Sequence, residues 1–148
     1  MWPQWAHKKP SLHTEPGADG FLELGIFVTI EAMTRLTTVA TGNRAEQAAA
    51  EYLIRAGYEV IDRNYRRKHC EIDIVARRDS TVYFVEVKYR ADDHFGGGLA
   101  YIGHDKLRHM ERAALTWVTD RHWDGEYTLS AIEVGGDYEV LNFIESIW

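Results

Sequence analysis

The chain has 148 residues, of which 45% are hydrophobic, and it carries a formal net charge of −6 at pH 7. This length and composition are typical of one globular domain with a true core. The acidic balance argues against indiscriminate coating of DNA, and the single cysteine excludes an internal disulfide framework. One free thiol also fits a reducing compartment, so a cytoplasmic location is expected.

Residues 1–40 differ from the rest of the chain and are interpreted as an N-terminal extension, followed by a single domain over residues 41–148. The first 20 residues contain all three prolines and two tryptophans without periodicity, which predicts a poorly ordered tail. Residues 21–33 are apolar but short and carry Glu23 and Glu31. Neither a membrane span nor a signal peptide is therefore expected.

Apolar residues recur every three or four positions over residues 44–56, which predicts an amphipathic helix that Gly57 ends. Glu46 in this helix has two interpretations. With Asn43 as the N-cap residue, Glu46 would occupy the third helical position and complete a capping box. The second interpretation, which rests only on a family resemblance, places Glu46 near a metal site, and the two are compatible.

A three-strand meander is predicted next, with strands over residues 59–65, 71–76 and 82–90. Residues 66–69 (RRKH) are a basic loop in this interpretation, and Arg78, Asp79 and Ser80 form the second turn. If this turn is centred between Asp79 and Ser80, Ile74 lies opposite Val85. Since strand residues two apart share a face, the alternation predicts one apolar side. Its members are Ile72, Ile74 and Ala76 with Val85 and Val87.

The same register places two carboxylates, Asp73 and Glu86, directly opposite each other on the polar side. Like charges roughly 5 Å apart at Cβ destabilise a sheet. A divalent cation between them would remove the repulsion, and carboxylates completed by water suit Mg²⁺. Glu71, Lys88 and Arg90 continue this polar face. A lone Glu-x-Lys is typical of a solvated edge strand, but Asp73 in register favours a catalytic interpretation.

Three further elements complete the chain. Residues 91–98 (ADDHFGGG) predict a glycine-rich loop without a phosphate-cradle signature. A helix is predicted from Asp105 to about residue 119, with an apolar stripe for core packing. Residues 127–134 and 138–143 predict a final hairpin around the turn Gly135-Gly136-Asp137.

The D-x12-E-x-K arrangement resembles the PD-(D/E)xK nuclease motif. The stretches GNRAEQAAAEYL, GYEVIDRNYR, EIDIVA and FVEVKYR resemble the YraN family of small predicted endonucleases, which is related to Holliday-junction resolvases. The resemblance covers residues 41–147 and departs at Ala45 and Cys70, where the family usually has glycine. It implies an α/β, restriction-endonuclease-like sandwich in which helices flank a mixed sheet.

The resemblance also implies a metal-dependent endonuclease that hydrolyses DNA phosphodiester bonds, including branched or structured DNA. Asp73 and Glu86, with the Val87 carbonyl, would hold Mg²⁺, for which Mn²⁺ can substitute. Lys88 would position the attacking water, and Glu46 would act as an outer ligand. Glu71 would tune Lys88 from the opposite strand. Contacts to DNA are expected from the basic residues Arg66, Arg67, Lys68, Arg90 and Lys106.

Other functions stay open at this point. The same fold also suits a non-catalytic nucleic-acid-binding or protein-interaction module, or a phosphoesterase for small nucleotides. Resolvase-like relatives commonly dimerise, but the sequence does not establish a homodimer. A zinc site at His69 and Cys70 is not favoured, because a second cysteine and a suitably spaced ligand pair are missing from the sequence.

Overall fold

A computed structural model of the chain describes residues 18–91 and 102–147. The chain divides into two compact units, Met1–Thr37 and Thr38–Trp148, and the sheet belongs to the second unit. The described order of helix, three strands, helix and two strands confirms the predicted order. The elements are α1 (Ala18–Arg55), β1 (Glu59–Arg67), β2 (Cys70–Arg78), β3 (Thr81–Tyr89), α2 (His104–Arg121), β4 (Glu126–Val134) and β5 (Val140–Ile144).

The strands form one five-stranded sheet in the order β1-β2-β3-β4-β5. The β1–β2, β2–β3 and β4–β5 pairs are antiparallel, whereas β3 and β4 are parallel. A parallel pair needs a crossover, and α2 lies within the segment that connects β3 to β4. The predicted meander, final hairpin and mixed sheet are therefore confirmed.

Helix α1 is longer than the sequence pattern predicts. It begins at Ala18 instead of near residue 44, so Asn43 lies inside the helix and the capping-box interpretation of Glu46 is wrong. The physical reason is that the sequence after Pro16 contains no proline, and helix-forming residues bridge the isolated glycines. The predicted end is confirmed, since Gly57 has the left-handed φ of 87° that favours glycine. Residues 1–17 of the predicted tail lie outside the described residues.

The second unit is a sandwich of two helices on a central sheet. Alanines at 45, 49 and 50 of α1, together with Leu53, are buried in one cluster with side chains from one face of the sheet. Met110 and Trp117 of α2 are buried in a second cluster with Phe84 and other residues of the opposite face. The predicted α/β sandwich with a mixed sheet and flanking helices is thus confirmed.

The predicted alternation along β2 is wrong at Ile72. Ile74 packs in the cluster on the α1 side, as expected, but Ile72 packs with Tyr65 in the cluster on the α2 side. The reason lies in β1, where Asn64 adopts a left-handed φ of 51° between the residues that pair with Ile72 and Ile74. A left-handed residue within a strand breaks the regular alternation of its ladder. The break occurs beside Asp73.

Among the described residues, no helix combines the length and the apolar composition that crossing a membrane requires.

Replacing Leu53 with alanine is expected to lower the free energy of unfolding by about 3–5 kcal/mol. Leu53 is 0% exposed beneath the sheet, so the deleted methyl groups would leave a cavity. Leu115→Ala is a matched control, because this helical leucine is 55% exposed and its loss should change stability by less than about 0.5 kcal/mol. Urea unfolding monitored by circular dichroism measures both. Equal losses would contradict the described burial of α1 against the sheet.

Candidate active site

The β2–β3 ladder ends where the two predicted metal ligands lie. Pairing runs from Arg78–Thr81 to Ile74–Val85, which confirms the register predicted from the turn. Asp73 and Glu86 are the next residues along the two strands. There the backbone N–H of Val87 donates to Oδ2 of Asp73, at 2.8 Å. A side chain thus replaces the partner strand as acceptor, which fixes the Asp73 carboxylate against β3.

Glu86 is a nearly buried carboxylate that two lysines neutralise. Its side chain is only 7% exposed, and each oxygen has its own ammonium group. Lys88 Nζ lies 2.9 Å from Oε1, and Lys106 Nζ lies 2.7 Å from Oε2. Burying a charge is unfavourable unless it is paired. The predicted neighbours Glu86 and Lys88 are therefore brought together, and Lys106 joins them from α2.

Asp73 belongs to the same electrostatic cluster. Burial, together with the nearby charges of Glu86 and Glu46, raises the pKa of its carboxyl group from the ordinary 3.8 to about 7. The Val87 N–H and the Lys106 ammonium act in the opposite direction. A carboxyl group in this setting resists ionisation unless additional positive charge arrives.

Glu46 reaches this region from α1. Its Oε2 accepts a hydrogen bond from Asn64 Nδ2 at 2.9 Å, and its charge acts on Asp73. Asn64, the donor, is also the left-handed residue that breaks the regular alternation of the ladder. The sequence interpretation missed Asn64. The available signal was an asparagine within a strand pattern, since asparagine tolerates positive φ better than most residues.

The donor set at this end of the sheet suits a hard cation. Asp73 and Glu86 offer carboxylate oxygens, which Mg²⁺ prefers, and Mg²⁺ commonly keeps several waters beside one or two protein carboxylates. Within residues 18–91 and 102–147, no group of three or more His, Cys, Asp or Glu side chains is arranged to hold a metal. A cation here would therefore depend on the two carboxylates, water and a backbone oxygen, for which Val87 stays a prediction.

The predicted basic loop is shorter than expected, because Arg66 and Arg67 belong to β1 and only Lys68 and His69 form the turn. His69, with φ 66°, is the left-handed residue of this turn. Cys70 lies in β2 and is not among the positive-φ residues. The backbone at this position therefore does not require the glycine that the family usually has.

The two arginines of this region have different surroundings. Arg67 stacks over the Tyr65 ring, 4.7 Å from its centre, and its Nε donates to Asp120 at 2.9 Å. Arg66 lies at the surface, with its Nε 3.9 Å from Glu71 Oε2. Arg66 thus has the looser guanidinium of the two. A role for each in binding DNA stays a prediction.

Glu71 and Lys88 have different ion-pair partners. Glu71 lies near Arg66, whereas Lys88, which it was expected to tune, pairs with Glu86. The β2–β3 ladder ends at Ile74 and Val85, so Glu71 and Lys88 are not paired within it. A role for Glu71 in tuning Lys88 stays a prediction.

Arg90 follows directly after β3 and interacts with β4. Its Nε lies 3.3 Å from Oε1 of Glu133, an acid that is itself buried and that pairs in register with Lys88. Sequence reasoning missed Glu133, because only the parallel β3–β4 pairing brings it to this edge. Residues 92–98 of the predicted glycine-rich loop lie outside the described residues.

A basic cavity adjoins the site. It has a volume of about 360 Å³ and lies between the β1–β2 turn and α2. Basic or imidazole side chains dominate its lining, and Lys106 belongs to the cavity as well as to the Glu86 ion pair. They are Arg66, Arg67, His69, Lys106 and His109. Glu71 is the acid in this lining, and Lys106 connects the cavity to the Glu86 carboxylate.

Fold and site together define a restriction-endonuclease-like α/β protein with Asp73, Glu86 and Lys88 at one edge of its sheet. The family model described as "Uncharacterised protein family UPF0102" matches residues 45–134. The chain belongs to this family, UPF0102 or YraN, which confirms the resemblance seen in the sequence.

Curated relatives agree with this assignment. The chain is similar to a UPF0102 protein of Vibrio parahaemolyticus, with 34% identity over 71% of this chain and 88% of the relative. It is also similar to UPF0102 proteins of Nitrosomonas europaea, at 38% identity over 66% and 83% of the two chains, and of Rhodococcus jostii, at 35% over 66% and 85%.

Proposed function

We propose that the protein is a Mg²⁺-dependent endonuclease that hydrolyses phosphodiester bonds of DNA, with branched or structured DNA as the preferred class. The observation that carries the proposal is the meeting of Asp73, Glu86 and Lys88 at one point. Asp73 is fixed by the Val87 N–H, and Lys88 is held 2.9 Å from Glu86. Paired carboxylates with an adjacent ammonium supply the groups that phosphodiester hydrolysis requires.

In this proposal Asp73 and Glu86 hold the cation. Bound Mg²⁺ would polarise a phosphoryl oxygen and lower the pKa of water. Lys88, whose position Glu86 determines, would orient the attacking water through its ammonium and stabilise the negative charge that develops on the phosphoryl oxygens. Glu46, held by Asn64, would hydrogen-bond to water at the edge of the site.

The route for the DNA backbone is the basic cavity beside the carboxylates. Phosphate contacts position a nucleic acid without reading its sequence, and local positive charge matters more for them than the net charge. Arg66 at the cavity wall has an exposed, weakly held guanidinium that suits this role. Arg67, Lys68 and Arg90 would extend the same surface. A homodimer and a cytoplasmic location complete the proposal.

The decisive experiment is a cleavage assay on labelled duplex, single-stranded, flapped and four-way DNA, with Mg²⁺ or Mn²⁺. We expect cleavage by the wild-type protein that requires metal and is absent from Asp73→Ala and Lys88→Ala proteins purified in parallel. Fastest cleavage of four-way or flapped DNA would support the structured-DNA class. Absence of cleavage by all proteins, or equal cleavage by all, would overturn the proposal.

A second candidate is a non-catalytic nucleic-acid-binding module, which one observation favours. Both oxygens of Glu86 already have ammonium partners, so the carboxylate is neutralised without a metal. In such a module the Lys88–Glu86–Lys106 cluster would simply stabilise the sheet edge. DNA binding that survives Lys88→Ala, with no cleavage by the wild-type protein on any substrate, would favour this candidate.

A further inference from the structure

We infer that Lys106 occupies the place of the metal on Glu86 in the metal-free protein, and that metal binding releases it into the adjoining cavity to bind a substrate phosphate. This inference rests on the proposed function and adds a regulation of the same site. Lys106 would thereby couple occupancy of the metal site to occupancy of a phosphate site.

The first support is the way the two lysines contact Glu86. Lys88 lies two residues away on the same strand and approaches Oε1, whereas Lys106 comes from α2 and approaches Oε2 at the shorter distance of 2.7 Å. A metal that binds Oε2 must replace the Lys106 ammonium. Because Lys88 contacts the other oxygen, it can keep its partner during the exchange.

The second support is the position of Lys106 on one of the two proposed metal ligands. Its ammonium is bonded to Glu86, the carboxylate that would share a cation with Asp73 in the proposed function. A cation shared by Asp73 and Glu86 is the role proposed for Mg²⁺. The ammonium group therefore serves as a monovalent substitute that neutralises the buried acid until the divalent ion arrives.

The third support is the space available to the released side chain. Lys106 also lines the cavity of about 360 Å³, and its side chain is 32% exposed, so it is not locked in the core. A lysine ammonium moves on a flexible four-carbon stem. In the cavity it would join Arg66 and His109 and supply positive charge for a DNA phosphate next to the one that is cut.

Two consequences follow from this exchange. The metal must compete with an ammonium group, which lowers its affinity in the absence of substrate. Metal binding then frees Lys106 for phosphate, and a phosphate that holds Lys106 away from Glu86 favours the metal in turn. Such coupling is reciprocal, so metal should strengthen DNA binding and DNA should strengthen metal binding.

Direct Mn²⁺ binding tests the competition. Free Mn²⁺ is measured by electron paramagnetic resonance during titration of the metal-free wild-type, Lys106→Met and Arg108→Met proteins without DNA. We expect Lys106→Met to bind Mn²⁺ roughly tenfold more tightly or better, because a charged hydrogen bond no longer competes. Arg108→Met removes the same charge from the same helix, but Arg108 pairs with Asp105. Its Mn²⁺ affinity should stay within about twofold of the wild-type value.

DNA binding tests whether Lys106 contacts phosphate after metal has released it from Glu86. Ca²⁺ serves as a non-catalytic metal, and affinity for a four-way junction is measured with Ca²⁺ or with EDTA. Lys106→Met should weaken binding several-fold with Ca²⁺ but little with EDTA, since Lys106 faces phosphate only after metal has bound. Lys106→Arg keeps the charge and serves as a folding control, with circular dichroism for every variant. Equal weakening under both conditions would overturn the exchange.

The outcomes separate this inference from the proposed function. Unchanged Mn²⁺ affinity in Lys106→Met, with binding abolished by Glu86→Gln, would overturn the role of Lys106 and leave the metal site intact. If the wild-type and Lys106→Met proteins both fail to bind Mn²⁺, the proposed metal-dependent function fails, and the competition fails with it.

Discussion

Replacing Lys88 with methionine is expected to reduce the rate of DNA cleavage by at least about a hundredfold, and by as much as about ten-thousandfold. Methionine keeps the length of the side chain but removes the ammonium that Glu86 holds at 2.9 Å. Water positioning and stabilisation of phosphoryl charge would be lost together. The rate constant is measured under single-turnover conditions at saturating Mg²⁺, so that chemistry and not product release is compared.

Arg77→Met is the matched control for this variant. Arg77 is also a basic strand residue with one carboxylate partner, but that partner is Glu59 at the surface. Its loss should leave the cleavage rate within about twofold of the wild-type value, because exposed ion pairs contribute little. A Lys88→Met protein that cleaves normally, with DNA affinity unchanged, would show that Lys88 only neutralises Glu86.

The arrangement around Lys88 is predictable from the sequence, because it depends on residues that are close together in the chain. A tight turn determines which residues of β2 and β3 pair, and the pairing of Ile74 with Val85 follows from its position. The alternation along β3 likewise places Glu86 and Lys88 together, as their ion pair shows. The end of α1 was predictable from local sequence too, because Gly57 adopts the left-handed φ that favours glycine.

The sequence-based predictions are wrong where the structure depends on an unusual backbone conformation or on residues far along the chain. The left-handed Asn64 changes the facing of Ile72, and a residue pattern that assumes regular strands cannot include it. The start of α1 was missed because a helix continues until something stops it, and residues 18–43 contain no proline. Periodicity over residues 44–56 reflects burial against the sheet, where Ala45, Ala49 and Leu53 pack.

Charge partners are the least predictable feature of the site. Lys106 has no pattern that directs it to Glu86, since the two are joined only by the packing of α2 against the sheet. Glu133 meets Arg90 for a similar reason, through the parallel pairing of β3 with β4. Both contacts depend on the crossover between β3 and β4. They decide how the buried carboxylates are neutralised, and the proposed metal binding depends on this property.

Replacing Asp73 with asparagine is expected to abolish cleavage while stabilising the metal-free protein at high pH. Loss of a charged ligand should reduce the cleavage rate by about a thousandfold or more, because metal catalysis contributes several kcal/mol to the transition state. The fold should tolerate the change, since the amide oxygen of asparagine can accept the hydrogen bond from the Val87 N–H. Activity and stability would therefore move in opposite directions.

The raised pKa of Asp73 determines whether Asp73→Asn stabilises or destabilises the fold at a given pH. Burial and nearby acids raise the pKa of Asp73 from 3.8 to about 7, so between these values the folded protein binds more protons than the unfolded chain. The stability of the wild-type protein should therefore fall as the pH rises through this window, by at most about 4 kcal/mol from this group. Asparagine cannot ionise, so Asp73→Asn should lack this decline and exceed the wild-type stability at pH 8.

Urea unfolding in EDTA at pH 5 and pH 8 measures the effect, and Asp120→Asn provides a control of opposite sign. Hydrogen bonding from Tyr65 and Arg67 lowers the pKa of Asp120, so its charge favours the folded state at neutral pH and its removal should destabilise the protein. Added Mg²⁺ should restore part of the wild-type stability at pH 8 but leave Asp73→Asn unchanged, since only an ionised Asp73 gains from a cation. If Asp73→Asn is less stable than the wild-type protein at pH 8 in EDTA, ionisation of Asp73 does not destabilise the fold, and the charge that the proposed metal would neutralise lies elsewhere.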